Sequence, residues 1–344
     1  MRDSRTIASG WLLSPSRIEH LLAAGAQAGI PQEVGRETLL SPLPLKVGRY
    51  RLIPDAPFCA FVGRVLDALL VQGSWLEVIA GPPERDDDAL TLAMQASHDL
   101  RSAVMKACRY GAFWSTSTDL HFDAETAAVQ AVSRAPDTPG RAGVMAVLIG
   151  TLARRLRVAT APGTNPVLRA ELRWSPRGSA AALETVLGIP VRHGSAADRL
   201  VLDPAALDQP LPRGWHPFVR FFDREVVETI ADLPGEHAAR ARVTSALDEH
   251  LVEGATDLLP RVARTLGLST RSLQRQLAAE GCTFRQVLAA RRMELAQTAL
   301  ARPTARVGDV AFALGFRDPS SFVRAFKRWT GATPGAWRQG MGLS

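Results

Sequence analysis

The sequence predicts an α+β N-terminal domain followed by an all-α C-terminal domain with two helix-turn-helix motifs joined by a long helix. Short extended segments alternate with helical periodicity up to residue 230, and beyond residue 236 only helical periodicity remains. A helical pattern then repeats within the last 100 or so residues. We expect the two domains at residues 1–232 and 240–344, with a linker at 233–239 because Pro234 and Gly235 interrupt the pattern.

The basic residues of this chain are unevenly distributed. Hydrophobic residues make up 46% and charged residues 22%, as in ordinary globular proteins, which excludes wholesale disorder. Residues 240–344 contain 16 basic and 8 acidic residues, whereas the first 239 contain 25 basic and 26 acidic residues. The whole basic excess therefore lies in the C-terminal part, and such asymmetry suggests a module that faces nucleic acid.

The cysteines and the apolar segments predict a cytoplasmic protein that makes no membrane contact. Cys59, Cys108 and Cys282 lie far apart without CxxC spacing, which argues against a zinc site or a disulfide framework. The N-terminus lacks an apolar stretch long enough for a signal peptide. The longest apolar run, 142–152, is shorter than the roughly 20 residues needed to cross a bilayer.

Helical and extended patterns alternate in the N-terminal part, after a loose tail of about 15 residues and a proline-rich connection at 41–57. The predicted helices cover residues 16–28, 58–72, 89–110, 141–157 and 179–187, and the predicted strands 121–122, 129–132, 168–174, 189–193 and 199–202. We expect Arg154, Arg155 and Arg157 to end the helix 141–157, where cations favour the helix dipole. The polar stretch 84–88 is interpreted as a solvated loop rather than a metal site.

The C-terminal part contains an internal repeat. Residues 262–268 match 310–316 at an offset of 48, and residues 273–277 match 322–326 at an offset of 49. The extra residue falls in the turn between the two halves of the second copy, where an insertion costs least.

Each copy of the repeat has the features of a helix-turn-helix motif. In order, it carries a small residue for a close helix crossing, a glycine for the positive φ that ends the first helix, and an N-cap for the second helix. These residues are Ala263, Gly267 and Ser269 in the first copy, and Ala311, Gly315 and Asp318 in the second. Pro319 suits the first helical position. Leu273 and Leu277, like Phe322 and Phe326, are expected to face the core.

The remaining faces of the two second helices are polar and basic. They expose Thr270, Arg271, Gln274 and Arg275 in the first copy, and Ser320, Ser321, Arg324, Lys327 and Arg328 in the second. Arginine and glutamine suit base edges in the major groove, while Ser, Thr and Lys suit bases or phosphates. The helix predicted at 283–301 spans about 27 Å. That length suits two recognition helices about one DNA turn, roughly 34 Å, apart.

Residues 240–340 resemble the AraC/XylS family of bacterial transcription regulators. The resemblance rests on the sequence from Gly315 to Gly331, GFRDPSSFVRAFKRWTG, followed by Thr333-Pro334 and Trp337-Arg338. It implies a seven-helix module whose nine exposed residues named above contact two successive major grooves of double-stranded DNA. It also implies RNA polymerase and a second copy of the chain as partners. Pro319 departs from the family pattern, in which a polar base-reading residue is common at this position.

The first 230 residues resemble the effector domain of the arabinose-binding-type, ornithine-utilisation branch of that family. The similar segments are Trp174-Ser-Pro, the helix that ends at Leu187-Gly188, Ile189-Pro-Val-Arg-His193, residues 199–203 and residues 207–211. This resemblance implies a small-molecule effector, with Trp174, Arg192 and His193 as candidate contacts.

No catalytic motif, cofactor motif or metal motif is recognisable in the sequence, which favours a regulator over an enzyme. Two alternatives remain open at this stage. One is a regulator controlled by a protein partner without a small ligand. The other is a DNA-repair enzyme fused to a DNA-binding module, which would need a reactive cysteine in an acceptor motif.

Overall fold

The computed structural model describes residues 10–41, 44–69, 88–138, 140–175, 181–212, 219–233, 238–252, 257–300 and 305–340. The chain forms two compact units, residues 1–229 and 230–344. The strands are β1 (Gly10–Leu13), β2 (Leu45–Val47), β3 (Tyr50–Pro54), β4 (Thr118–Asp123), β5 (Ala128–Ser133), β6 (Val167–Glu171), β7 (Val191–Arg192) and β8 (Asp198–Leu202). The helices of the first unit are α1 (Pro15–Gln27), α2 (Gln32–Leu40), α3 (Asp55–Leu69), α4 (Ala89–Gln95), α5 (Leu100–Arg109), α6 (Arg141–Ala159), α7 (Ala181–Leu187) and α8 (Val219–Ala231), the last of which crosses into the second unit.

A three-stranded antiparallel sheet, in the order β1-β3-β2, corrects two expectations about the N-terminal segments. Residues 10–13 are not part of a loose tail, because Trp11 pairs with Ile53 and all four residues of β1 are buried. The stretch 41–57 is likewise not a plain connection, since it contains β2 and β3. These strands have only three to five residues each. Strand β1 pairs with the distant β3, and β2 and β3 lie in a proline-rich stretch, so local periodicity does not reveal any of the three. Residues 1–9 lie outside the described residues.

The five-stranded sheet confirms the five predicted strands, although β6 ends at Glu171 instead of residue 174 and β7 covers only two residues of the predicted 189–193. Its order is β4-β5-β8-β6-β7, and it is antiparallel except for the parallel pair β6 and β7. The prediction of one continuous helix at 89–110 is wrong. This segment is divided into α4 and α5, because the Asp99 carboxylate accepts a hydrogen bond from the Ser102 amide at 2.7 Å and starts a new helix.

Helix α6 is the buried centre of the first unit, as its apolar sequence predicts. It starts where α3 approaches closely: a side chain at Gly140 would place its Cβ 2.1 Å from the Cys59 carbonyl oxygen. Arg157 lies in the last turn of this helix, which ends at Ala159, so the expected basic end is confirmed for Arg157. Arg154 and Arg155 lie before the last turn and are buried, so the expectation that they end the helix is wrong.

Arg155 is stabilised in that buried position by Asp88, whose Oδ2 lies 2.6 Å from its Nη2. Asp88 therefore does not belong to a solvated loop, whereas residues 84–87 of the same stretch lie outside the described residues. Asp88 also caps α4, since its Oδ1 accepts a hydrogen bond from the Thr91 amide at 2.8 Å.

The described residues of the second unit after position 237 form seven helices and no strand, as the sequence predicts. These are α9 (Ala238–Val252), α10 (Leu258–Thr265), α11 (Thr270–Ala279), α12 (Phe284–Leu300), α13 (Val307–Ala313), α14 (Pro319–Thr330) and α15 (Pro334–Gly340). They enclose two apolar clusters, one around Leu273 and Leu277 and the other around Phe322 and Phe326.

Candidate nucleic-acid interface

Helices α10 and α11 form the first helix-turn-helix motif with the predicted boundaries. Gly267 has φ of 65° and ends α10. The Ser269 hydroxyl caps α11 by accepting a hydrogen bond from the Ser272 amide at 3.1 Å. Ala263 is 2% exposed, and Leu273 and Leu277 are fully buried, so the motif has the predicted core-facing residues.

Helices α13 and α14 form the second motif with the same arrangement. Gly315 has φ of 73°, and the Asp318 carboxylate caps α14 by accepting from the Ser321 amide at 2.7 Å. The Ser321 hydroxyl donates to the other carboxylate oxygen of Asp318, also at 2.7 Å. These two hydrogen bonds lower the pKa of Asp318. The carboxylate therefore stays charged at neutral pH, next to the positive end of the helix dipole.

The outer faces of α11 and α14 expose the side chains that the sequence singles out. Eight of the nine are exposed and Ser321 is half-buried: Thr270, Arg271, Gln274, Arg275, Ser320, Ser321, Arg324, Lys327 and Arg328. Five of the nine are cationic and none is acidic, so the two helices present a basic surface. The sequence did not reveal that Ser321 is already occupied, since its hydroxyl contacts both Asp318 and the Arg324 guanidinium.

Helix α12 joins the two motifs. Its 17 residues rise about 26 Å at 1.5 Å per residue. The helix begins with a reciprocal capping box. The backbone N–H of Gln286 donates to the Thr283 hydroxyl, and the backbone N–H of Thr283 donates to the side-chain oxygen of Gln286. At its other end Leu300 is fully buried, and the predicted residue 301 lies outside the described residues.

The three candidate effector contacts lie at one edge of the five-stranded sheet. The rings of Trp174 and His193 are 6.3 Å apart, and His193 Nδ1 lies 3.0 Å from the Trp174 carbonyl oxygen. Arg192 is mostly exposed, with a nitrogen 3.9 Å from the Glu171 carboxylate. The structure thus brings Trp174 and His193 together and leaves Arg192 at the surface.

A separate cavity of about 450 Å³ lies elsewhere in the first unit and is lined by residues of β1, α1, α3 and α6, among others. None of Trp174, Arg192 and His193 lines it. Its walls include Trp11, which the sequence interpretation assigned to a loose tail, and Arg155, which it assigned to a helix end. Only the fold shows that these residues, far apart in the sequence, share one cavity.

Cys59 and Cys108 do not resemble activated nucleophiles. Burial raises the pKa of the Cys59 thiol to about 11 and that of Cys108 to about 12. A protonated thiol is a weak nucleophile. Within the described ranges no cluster of His, Cys, Asp and Glu side chains is arranged to hold a metal ion, and no helix there is long and apolar enough to cross a membrane.

Comparison with known families assigns both parts of the chain. Residues 34–211 match the sequence model of the arabinose-binding domain of AraC transcription regulators, N-terminal part, and residues 262–340 match that of a helix-turn-helix domain. The chain belongs to the AraC family of transcription regulators. As a member, it is a DNA-binding transcription regulator with an N-terminal effector-binding domain, which confirms the resemblance seen in the sequence.

The chain is also similar to individual transcription regulators. The ornithine utilization regulator of Pseudomonas aeruginosa is 28% identical over 254 residues, which cover 73% of this chain and 74% of the relative. The transcriptional activator NphR of a Rhodococcus species is 31% identical over 160 residues, covering 42% of this chain and 46% of the relative. The solved structure of the transcriptional regulator CdpR from P. aeruginosa is 20% identical, with a TM-score of 0.38 over 93% of this chain and 97% of that one.

Proposed function

We propose that residues 240–344 bind double-stranded DNA by placing α11 and α14 in two successive major grooves. The observation that carries this proposal is the duplicated motif, in which both copies share the small crossing residue, the turn glycine, the N-cap and the buried core pair. Each copy leaves a polar face without acidic side chains. The length of α12 is compatible with recognition helices about one DNA turn, roughly 34 Å, apart.

The two helices carry different chemistry in this proposal. Arg271, Gln274 and Arg275 of α11 offer bidentate hydrogen bonds to guanine or adenine, together with the Thr270 hydroxyl. Helix α14 starts with Pro319 and has fewer groups for base edges, Ser320 and Ser321 among them. Arg324, Lys327 and Arg328 of α14 suit phosphates. Readout of the base sequence is therefore assigned mainly to α11, and affinity for the phosphate backbone of the DNA mainly to α14.

Residues 1–232 control this DNA binding in response to a small molecule, with 233–239 as the linker. Support comes from the family assignment and from a relative whose name refers to ornithine utilization. Trp174, Arg192 and His193 remain candidate contacts. We further propose activation of transcription through RNA polymerase, as the name of the activator NphR suggests, and a homodimer as the binding species.

Selection of binding sites from random DNA with the full chain tests the DNA-binding proposal. We expect two preferred base clusters about 10 base pairs apart, and an affinity that falls steeply as salt rises. Arg275→Ala should weaken binding, while Arg36→Ala, an exposed arginine of the first unit, should not. Absence of binding at low salt, or a single base cluster, would contradict the proposal.

A further inference from the structure

The cavity in the first unit has aromatic walls that are held in fixed positions. Of its 20 lining residues 12 are apolar or aromatic, and five of these carry aromatic rings: Trp11, Tyr50, Phe58, Phe113 and Trp114. Trp11 stacks on Phe58 with centroids 5.0 Å apart, and Tyr50 meets Phe113 edge to face at the same separation. Such preorganised ring surfaces favour a flat ligand that can stack or pack edge to face.

Both carboxylates around the cavity are paired with arginines. The lining holds two arginines, Arg17 and Arg155, and two carboxylates, Asp88 and Glu19, besides His20. Asp88 pairs with Arg155 at 2.6 Å, and Glu19 pairs with Arg36 at 3.1 Å. Arg155 also lies over the Trp114 ring, 4.4 Å from its centroid, and the Trp114 indole donates to Asp88. Among the described lining residues no carboxylate is left unpaired for an ammonium group, which disfavours a cationic ligand.

Trp11 and Thr151, which line the cavity, each carry a buried polar atom that lacks a hydrogen-bond partner within the described part of the chain. These are the indole nitrogen Nε1 of Trp11, 6% exposed, and the hydroxyl Oγ1 of Thr151, 5% exposed. A buried donor or hydroxyl without a partner costs free energy, so such groups usually mark the place of a ligand or an ordered water molecule. The indole requires an acceptor, and the hydroxyl accepts either a donor or an acceptor.

We propose that this cavity is the effector site and that its ligand is a planar aromatic compound without a cationic group, carrying one or two oxygen atoms. The proposal deepens the proposed effector control and depends on it. It places the ligand apart from Trp174, Arg192 and His193, the candidate contacts named above, none of which lines this cavity. The rings of Trp11, Phe58 and Trp114 contact the flat face and edges of the ligand. Trp11 Nε1 donates a hydrogen bond to one oxygen of the ligand, and Thr151 binds the same or a second oxygen. A volume of about 450 Å³ lies within the range of small-molecule sites.

Calorimetric titration and thermal-shift measurements on the full chain test this proposal, with coumarin and 1-naphthol as probes and L-ornithine and L-arabinose as polar comparators. We expect both aromatic probes to bind and both comparators to fail. Thr151→Val keeps the shape of the wall and removes one polar group, whereas Trp11→Phe removes the indole N–H together with part of the ring surface. Thr151→Val should weaken binding of coumarin about fivefold, the amount that corresponds to one lost hydrogen bond, and Trp11→Phe should weaken it at least as much.

Two valines of α6 provide a matched pair of variants. Val147 lines the cavity, and Val158 is 43% exposed on the same helix. Val147→Phe should fill the cavity and abolish probe binding, while Val158→Phe should bind like the parent. Melting of both variants verifies that they fold.

Three results would overturn the proposal. These are equal probe binding by Val147→Phe and the parent, binding of L-ornithine or L-arabinose in preference to the aromatic probes, and no aromatic binding at about 1 mM. Gel shifts on the same preparations measure DNA binding and so distinguish failure of the aromatic-ligand proposal from failure of the proposed function. DNA binding without probe binding contradicts only the aromatic site, whereas absence of DNA binding contradicts the proposed function.

Discussion

The guanidinium group of Arg292 lies over the ring of Phe316, 4.9 Å from the ring centroid. Arg292 belongs to α12, and Phe316 follows the turn glycine of the second helix-turn-helix motif, so the pair connects the joining helix to that turn. Arg292 Nη2 also donates to the Gly315 carbonyl oxygen at 3.4 Å. Burial lowers the pKa of Arg292 from its ordinary value, but the guanidinium remains charged near neutral pH. This contact helps to fix the second motif against α12.

Arg292→Ala should destabilise the second motif by about 1–2 kcal/mol, because it removes a cation–π contact and a packed side chain. Urea unfolding of the full chain measures this change. Arg285→Ala is the matched control, since Arg285 is exposed on the same helix. Equal unfolding midpoints for the two variants would show that the Arg292 contact contributes nothing.

Ala263→Leu and Ala311→Leu should each cost about 1–3 kcal/mol, because both alanines are buried in the motif cores and a larger side chain overpacks them. Thermal melting and gel shifts measure stability and DNA binding. Ala278→Leu makes the same change at an exposed position of α11 and should melt like the parent. If Ala263→Leu also melted and bound DNA like the parent, the tight crossing assigned to that position would be wrong.

Gln274→Ala should relax base preference within one half of the DNA site, at about 1–3 kcal/mol for the lost contact. Arg328→Ala should instead weaken binding to all sequences about equally and lower the salt slope by about one unit. Selection from random DNA combined with salt titrations distinguishes the two effects. An unchanged motif for Gln274→Ala together with altered bases for Arg328→Ala would reverse the roles assigned to α11 and α14.

Asp318 should make the second motif sensitive to acid. Its pKa lies below the ordinary value of 3.8 because Ser321 donates two hydrogen bonds to the carboxylate. The stabilisation by the charged cap is therefore complete at neutral pH, declines as the pH falls through 3.8, and is lost below the folded-state pKa.

Melting temperatures of the parent and of Asp318→Asn between about pH 7 and pH 3 test this prediction. Asparagine is also an N-cap residue but does not titrate in this range. The advantage of the parent over the variant should be largest at neutral pH and should shrink as the pH falls through 3.8. A difference that is constant over the whole range would exclude a contribution from the Asp318 charge.

The second unit shows how much a local pattern can determine. Gly267 and Gly315 end their helices, Ser269 and Asp318 cap the next ones, and the core residues recur at helical spacing. Each of these features depends on neighbours within a few positions in the sequence. For that reason the helix boundaries and the polar faces of α11 and α14 were predictable from the sequence.

The first unit shows where local patterns fail. Strand β1 is stabilised by pairing with β3, about 40 residues away, so its four residues carry no recognisable periodicity of their own. Asp99 divides α4 from α5 although the apolar spacing continues across the division. Arg154 and Arg155 were expected at the end of α6 because cations favour that end of the helix dipole, but the packing of the unit buries both before the last turn.

The sequence by itself determined the family, the two helix-turn-helix motifs, the position of the basic surface and the order of most helices and strands. The tertiary structure alone decided that Trp11, Asp88, Thr151 and Arg155 meet at one cavity. These four residues come from a strand, a helix cap and a buried helix. A cavity is formed by groups brought together through long-range pairing and packing, and no pattern within a short window of sequence records which distant side chains will face the same space.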